Sequence, residues 1–99
     1  MATFANAEPT SAEDLRQQAV SAYIDGATKE LEAYSRQIGE AVRPDNQQQC
    51  KEARAKLDEC KQLVADLKAA DSQHFDLIKS NFERSRDELV KALEAAQKK

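Results

Sequence analysis

The stretch that decides the fold is residues 57–82, LDECKQLVADLKAADSQHFDLIKSNF. Apolar side chains recur in it every three or four residues, through Leu57, Cys60, Val64, Leu67, Phe75, Ile78 and Phe82. A 3–4 repeat places apolar side chains in one stripe along an α-helix, and each stripe must be buried against another surface. The stretch therefore predicts helices that pack against other helices.

The repeat changes phase inside this stretch. The spacing that ends at Leu67 calls for an apolar residue at position 71, but that residue is Asp71, and the repeat resumes at Phe75. A four-residue slip either unwinds a continuous helix locally or separates two helices. Two architectures follow. One is an antiparallel hairpin whose second arm runs unbroken over about residues 46–97, and the other is a three-helix bundle in which Asp71 or Ser72 caps the third helix.

The absence of Gly and Pro near residue 71 favours the continuous arm, whereas the need for a closed core favours the bundle. We place the hairpin with the long second arm slightly ahead. In both architectures the fold class is all-α with coiled-coil-like packing. The same repeat extends outward to both ends of the chain, through Ile24, Ala27, Leu31, Tyr34, Ile38 and Ala41 on one side and Ser85, Leu89 and Ala92 on the other.

A turn at Pro44 and Asp45 ends the first helix, because proline disfavours helical geometry in the residue before it. The sequence predicts a first helix over about residues 11–43. Asp45 is expected to cap a second helix over about 46–70, with Gln48 completing a capping box. A third helical segment covers about residues 72–97, either continuous with the second or broken from it.

The first helix is expected to begin at Thr10 or Ser11, each of which has an acid three residues on in a capping-box pattern. Residues 1–10 are expected to form a flexible arm in which Phe4 is the one candidate for an anchor, leaving residues 11–99 as a single helical domain. Within the first helix, Gly26 and Gly39 each cost about 1 kcal/mol relative to alanine. That cost is tolerable if a neighbouring helix approaches closely at these glycines.

The apolar content is thin, because alanine fills 17 positions while Leu, Ile, Val and Phe together fill 18 of the 99. A small domain with few bulky apolar side chains has little stability to spare. We therefore expect a protein partner, either a second copy or another helical protein, in a homo-oligomer or a hetero-complex. The predicted interaction stripe comprises Ile24, Leu31, Tyr34, Ile38, Leu57, Val64, Leu67, Phe75, Ile78, Phe82, Leu89 and Leu93.

Several classes of function are disfavoured. Acidic and basic residues are mixed along the chain and the net charge is −3, so the sequence predicts no concentrated positive surface that could bind nucleic acid. No run approaches the roughly 20 apolar residues of a membrane span, and no signal peptide is recognised, so a membrane partner is not expected. One histidine, His74, and two glycines supply neither a metal site nor a phosphate loop. We expect no catalytic residue, cofactor or metal.

Cys50 and Cys60 are the chain's two cysteines, and their nine-residue gap resembles one half of the twin Cx9C motif of helical hairpins from the mitochondrial intermembrane space. Those proteins pair four cysteines across two helices. On one helix, ten residues separate the two Cα atoms by roughly 15 Å, too far for a disulfide. We expect reduced core cysteines in the cytoplasm or another reducing compartment, with a redox cross-link between chains as the alternative.

The leading function is a non-enzymatic helical interaction module, such as a coiled-coil subunit, an adaptor or a small assembly chaperone. One alternative is an amphipathic protein that coats a lipid or particle surface with the same stripes. A second is a small exported helical hairpin. The length and central turn resemble those of WXG100-type secreted proteins and type III secretion needle subunits, and the resemblance rests on Pro44, Asp45 and Asn46.

Overall fold

A computed structural model describes residues 12–98, which form three α-helices: α1 (Ala12–Ala41), α2 (Gln47–Ala69) and α3 (Ser72–Gln97). The predicted all-α class is confirmed over this part of the chain. Residues 1–11 lie outside the described residues. The caps at Thr10 and Ser11 and the arm with its anchor Phe4 therefore stay predictions.

The helices run up, down and up. The α2 side chain of Lys56 contacts Glu88 of α3, while α1 and α3 run parallel, with Tyr23 beside Glu83. Contact is most extensive between α2 and α3, smaller between α1 and α2, and smallest between α1 and α3. The core between them is formed by Ile24, Ala27, Leu31, Ile38, Cys50, Ala53, Leu57, Cys60, Val64, Leu67, Phe75, Phe82, Leu89, Leu93 and Ala96.

The helix is interrupted between α2 and α3. The structure is therefore the three-helix bundle and not the hairpin with a continuous second arm. Ala70 and Asp71 are extended, with ψ angles of 143° and 178°. The Asp71 carboxylate accepts a hydrogen bond from the His74 backbone N–H at 2.9 Å, which confirms the predicted cap. This bond satisfies one of the backbone donors that a helix start leaves unpaired.

The α1–α2 corner differs from the expectation. The α1 helix ends at Ala41, two residues earlier than predicted, and the residue before α2 is Asn46, not Asp45. The predicted capping box of Asp45 with Gln48 is therefore wrong. Asp45 accepts instead from the Arg43 guanidinium at 2.9 Å, because the turn carries its carboxylate away from the start of α2.

Asn46 joins the ends of all three helices. Its side chain is buried, with 3% of the residue exposed. Its Oδ1 accepts from the Arg43 backbone N–H at 2.7 Å, and its Nδ2 donates to the carbonyl of Ala41 at 2.6 Å and to that of Ala96 at 2.7 Å. Ala41 closes α1, Ala96 lies in the last turn of α3, and Asn46 itself precedes α2. One amide thus satisfies carbonyls that two helix ends would otherwise leave unpaired.

The opposite end of α1 is held less firmly. Among the side chains described in residues 12–23, none is buried, and Leu15 is 56% exposed. The first core residue of α1 is Ile24, and the last is Ile38. The α1 helix therefore contributes fully buried residues only from Ile24 onward, whereas its first three turns contact the core through partly buried side chains such as Val20.

Replacing Asn46 with alanine should lower the free energy of unfolding by about 2 to 4 kcal/mol, because three hydrogen bonds are lost and the carbonyls of Ala41 and Ala96 lose a partner. Urea denaturation followed by circular dichroism measures the change. Gln48→Ala, on an exposed residue in the first turn of α2, is the matched control and should stay within about 0.5 kcal/mol of the parent protein. Equal effects of the two substitutions would contradict the role assigned to Asn46.

Candidate functional site in the groove between α1 and α3

The predicted interaction stripe lies inside the bundle. Ten of its twelve residues belong to the core, and Tyr34 and Ile78 are partly buried against it. In this conformation the stripe packs the three helices against one another. A surface for a partner must therefore be sought elsewhere on the molecule.

Both cysteines belong to the same core. Cys50 and Cys60 are free thiols with 2% and 0% of each residue exposed. Burial raises the pKa of Cys60 to about 11, with the neighbouring Glu59 carboxylate adding to the effect. Cys60 is therefore a protonated thiol near neutral pH, and the thiolate is the reactive form. A cross-link between chains would first require the bundle to open.

Three aromatic rings meet where α1 crosses α3. The Tyr23 ring is edge-on to Phe75, with ring centroids 6.3 Å apart, and edge-on to Phe82 at 6.2 Å. Phe82 is fully buried, whereas Tyr23 is half-buried at the edge of the core. The edge-on geometry brings the positive edge of one ring to the negative face of another.

Cationic side chains cover the outer faces of these rings. The Arg16 guanidinium lies 5.7 Å from the Phe75 centroid, and the Lys79 ammonium lies 4.8 Å from that of Tyr23. Arg86 lies 5.8 Å from the centroid of Phe82. These distances allow cation–π attraction. Long cationic side chains therefore lie over the aromatic rings at the junction between α1 and α3.

Two carboxylates complete the junction. The Tyr23 hydroxyl donates to Glu83 at 2.9 Å, and Arg86 approaches Glu30 at 3.4 Å. Burial raises the pKa of Tyr23 to about 12, and the hydrogen bond to Glu83 and its negative charge add to the shift. The Tyr23 hydroxyl therefore remains a hydrogen-bond donor across the physiological pH range.

A groove of about 290 Å³ opens between α1 and α3 beside this cluster. It is lined by Ala22, Tyr23, Gly26, Ala27, Glu30, Phe82 and Arg86. Ala27 and Phe82 are core residues, whereas Gly26 is exposed. The groove thus reaches from the solvent down to the aromatic core.

Gly26 is the unusual member of this groove. A Cβ atom built at Gly26 meets no other atom within 4 Å, and the same holds for Gly39. The close approach of a neighbouring helix that would make these glycines tolerable is therefore not made within the described residues. Neither glycine has a positive φ angle, so neither is required by backbone conformation.

An exposed apolar row leads into the groove along α1. Leu15, Ala19, Ala22 and Gly26 follow one another at spacings of four, three and four residues, and all four are exposed. This spacing places them on one face of the helix. The row is out of phase with the stripe that starts at Ile24, and it does not belong to the predicted interaction stripe. The sequence does contain this row as a second 3–4 repeat, but three of its four residues are alanine or glycine, which are weak indicators of a buried or binding surface.

Other candidate sites do not assemble. The His74 ring contacts the Asp71 carboxylate at 2.8 Å, as part of the cap of α3. Within residues 12–98, no group of three or more His, Cys, Asp or Glu side chains is arranged to hold a metal ion. The same part of the chain contains no helix with the length and apolar character needed to cross a membrane.

Comparison with known proteins finds no match among family models, curated proteins or solved structures.

The contribution of Tyr23 to the free energy of unfolding should decrease at alkaline pH. Because its pKa is raised in the folded state to about 12, its stabilising effect is fully present below the unfolded value of about 10 and is lost as the pH rises toward 12. The difference in free energy of unfolding between the parent protein and Tyr23→Phe should be constant from pH 7 to 9 and should shrink above pH 10. Urea titrations at each pH measure it. A difference that stays constant to pH 11.5 would sink this explanation.

Proposed function

We propose that this chain is a non-enzymatic protein–protein interaction module that receives an amphipathic partner helix in the groove between α1 and α3. The observation that carries the proposal is Gly26, an exposed glycine inside a helix whose missing side chain serves no contact with residues 12–98. A glycine in a helix interior costs about 1 kcal/mol relative to alanine. Close approach by a second backbone would offset that cost.

The geometry of the bundle supports a fourth helix at this position. The α1–α3 contact is the smallest of the three, so α1 and α3 pack against each other less extensively than either packs against α2. Distances between packed helix axes depend on the side chains at the contact, and a glycine permits the shortest of them. A partner helix lying over Gly26 would cover the exposed faces of Ala22 and Tyr23 and convert three helices into a four-helix arrangement.

The chemistry of the groove defines the partner. Its deepest residues, Ala27 and Phe82, are apolar, and its walls carry one acid and one base, Glu30 and Arg86. Such a surface fits an apolar side chain at the centre of the contact and charged side chains of both signs at its rim. The partner is therefore a helix with a small or medium apolar residue facing Gly26, and not a nucleic acid or a small polar substrate.

The row from Leu15 to Gly26 extends this surface. Its four residues cover about 16 Å of helix at 1.5 Å per residue, which is three helical turns. Leu15 is 56% exposed and is the one bulky side chain in the row. Leu15 would then anchor the start of the partner helix, while Gly26 sets the point of closest approach.

The substitution Gly26→Leu should fill the groove and abolish partner binding without unfolding the protein. The space around the Cβ position is open, and leucine favours the helix over glycine by up to about 1 kcal/mol. Gly39→Leu is a matched control, because Gly39 is in the same helix, has the same open space and does not line the groove. Immobilised parent and variant proteins are compared for the proteins that they capture from a lysate of the source organism.

The expected result is a captured protein that the parent and Gly39→Leu retain and Gly26→Leu loses, while all three melt cooperatively and both variants melt no lower than the parent. Equal capture by both leucine variants, or capture of nothing by the parent protein, would rule out a helix-binding role for this groove.

A further inference from the structure

The junction between α2 and α3 consists of two residues, Ala70 and Asp71. Their φ angles are −74° and −83°, close to those of a helix, and their ψ angles are 143° and 178°. Rotation about two ψ angles would therefore join α2 and α3 into one helix. No residue of the junction is Gly or Pro, and the residues before Asp71 are Ala69 and Ala70, the best helix-forming type.

The side-chain pairs between α2 and α3 are symmetric about the same junction. Lys56 contacts Glu88 at 2.8 Å, 32 residues away, and Glu59 accepts from Ser85 at 3.0 Å, 26 residues away. Both pairs are centred on Ser72. If α2 and α3 formed one straight helix, two such helices lying antiparallel with a two-fold axis near Ser72 would reproduce both pairs between chains in the same register.

We propose that a second copy of this chain exchanges α3 with the first, so that the segment from Gln47 to Gln97 becomes one continuous helix in a domain-swapped dimer. This inference is independent of the proposed groove function. Each α3 would pack on the α1 and α2 of the other copy. Core residues such as Phe82, Leu89 and Leu93 would remain buried in the same surroundings, because exchange of an identical element changes the connection and not the contacts.

The balance between the two forms depends on the Asp71 cap. In the bundle, the Asp71 side chain accepts from the His74 backbone N–H and contacts the His74 ring. In the continuous helix the His74 backbone N–H bonds to the carbonyl of Ala70 instead, so the cap is lost and main-chain hydrogen bonds across the junction replace it. The four-residue slip in the apolar repeat is one that a continuous coiled-coil helix accommodates by local unwinding. Because two chains form each dimer, the fraction of dimer rises with protein concentration by mass action.

Two substitutions at the junction separate the forms. Asp71→Ala removes the cap and supplies a helix former, which favours the continuous helix. Ser72→Pro has the opposite effect. Ser72 is the first residue of α3, where proline is well tolerated, and Asp71 before it is already extended, as a residue preceding proline should be. In a continuous helix the same proline would lie in the interior, where it removes a hydrogen bond and clashes with the preceding turn.

Light scattering coupled to size-exclusion chromatography measures the result at protein concentrations from about 10 μM to 1 mM. Ser72→Pro should remain at the monomer mass of 11.0 kDa throughout. The parent protein should move toward twice that mass as its concentration rises, and Asp71→Ala should reach the midpoint at a concentration at least tenfold lower. An Asp71→Ala protein that remains monomeric at 1 mM, or a Ser72→Pro protein that dimerises as readily, would overturn the proposal.

A distance measurement then identifies the exchange. Spin labels are attached to one chain at two introduced cysteines, Lys56→Cys and Glu88→Cys. The native Cys50 and Cys60 are buried and should remain unreacted under native conditions. The labelled chain is then mixed with an excess of unlabelled Asp71→Ala chain. The two labels are adjacent in the bundle, whereas a continuous helix separates them by roughly 48 Å. A dimer in which the labels within one chain stay adjacent would refute the exchange, whatever its mass.

Discussion

The structure depends on one buried amide, that of Asn46. Helix ends leave backbone groups without partners, and three helix ends meet at one end of this bundle. Asn46 has two donors and an acceptor, and it uses them on the ends of α1 and α3 and on the turn at Arg43. The three helices are therefore fixed relative to one another where the aliphatic core is completed by small side chains such as Ala53 and Ala96.

From that closed end the bundle becomes progressively more open. Contacts between α2 and α3 are continuous, but α1 contributes core residues only from Ile24 onward. Aromatic rings and the cations above them close the α1–α3 side, and a groove remains at Gly26. The same loose half of α1 carries the exposed row that begins at Leu15. Along α1, the buried contacts thus lie between Ile24 and the Asn46 end, and the exposed row lies over the first half of the helix.

The sequence predicts the helices and the core residues well. Buried side chains follow the helical repeat regardless of which helix they pack against. The stripe, the turn at Pro44 and the cap at Asp71 follow from such local rules. The choice between one helix and two at Asp71 did not, because the local sequence offers both a cap residue and strong helix formers, and the packing of α3 against α1 and α2 depends on residues far away in the sequence. The role of Asn46 could not be predicted either, since it depends on the Ala96 carbonyl, 50 residues away. Gly26 was noticed, but only the structure shows that nothing within the described chain fills the space beside it.

Native-state amide hydrogen exchange, resolved by residue, tests the central claim that the bundle is closed at Asn46 and open along the first half of α1. Amides between Ala12 and Tyr23 should exchange through local openings, at free energies well below that of global unfolding. Amides around Ile38, and those of the cores of α2 and α3, should exchange only when the whole domain unfolds. Uniform protection along α1, or openings that begin at the Asn46 end, would contradict this account.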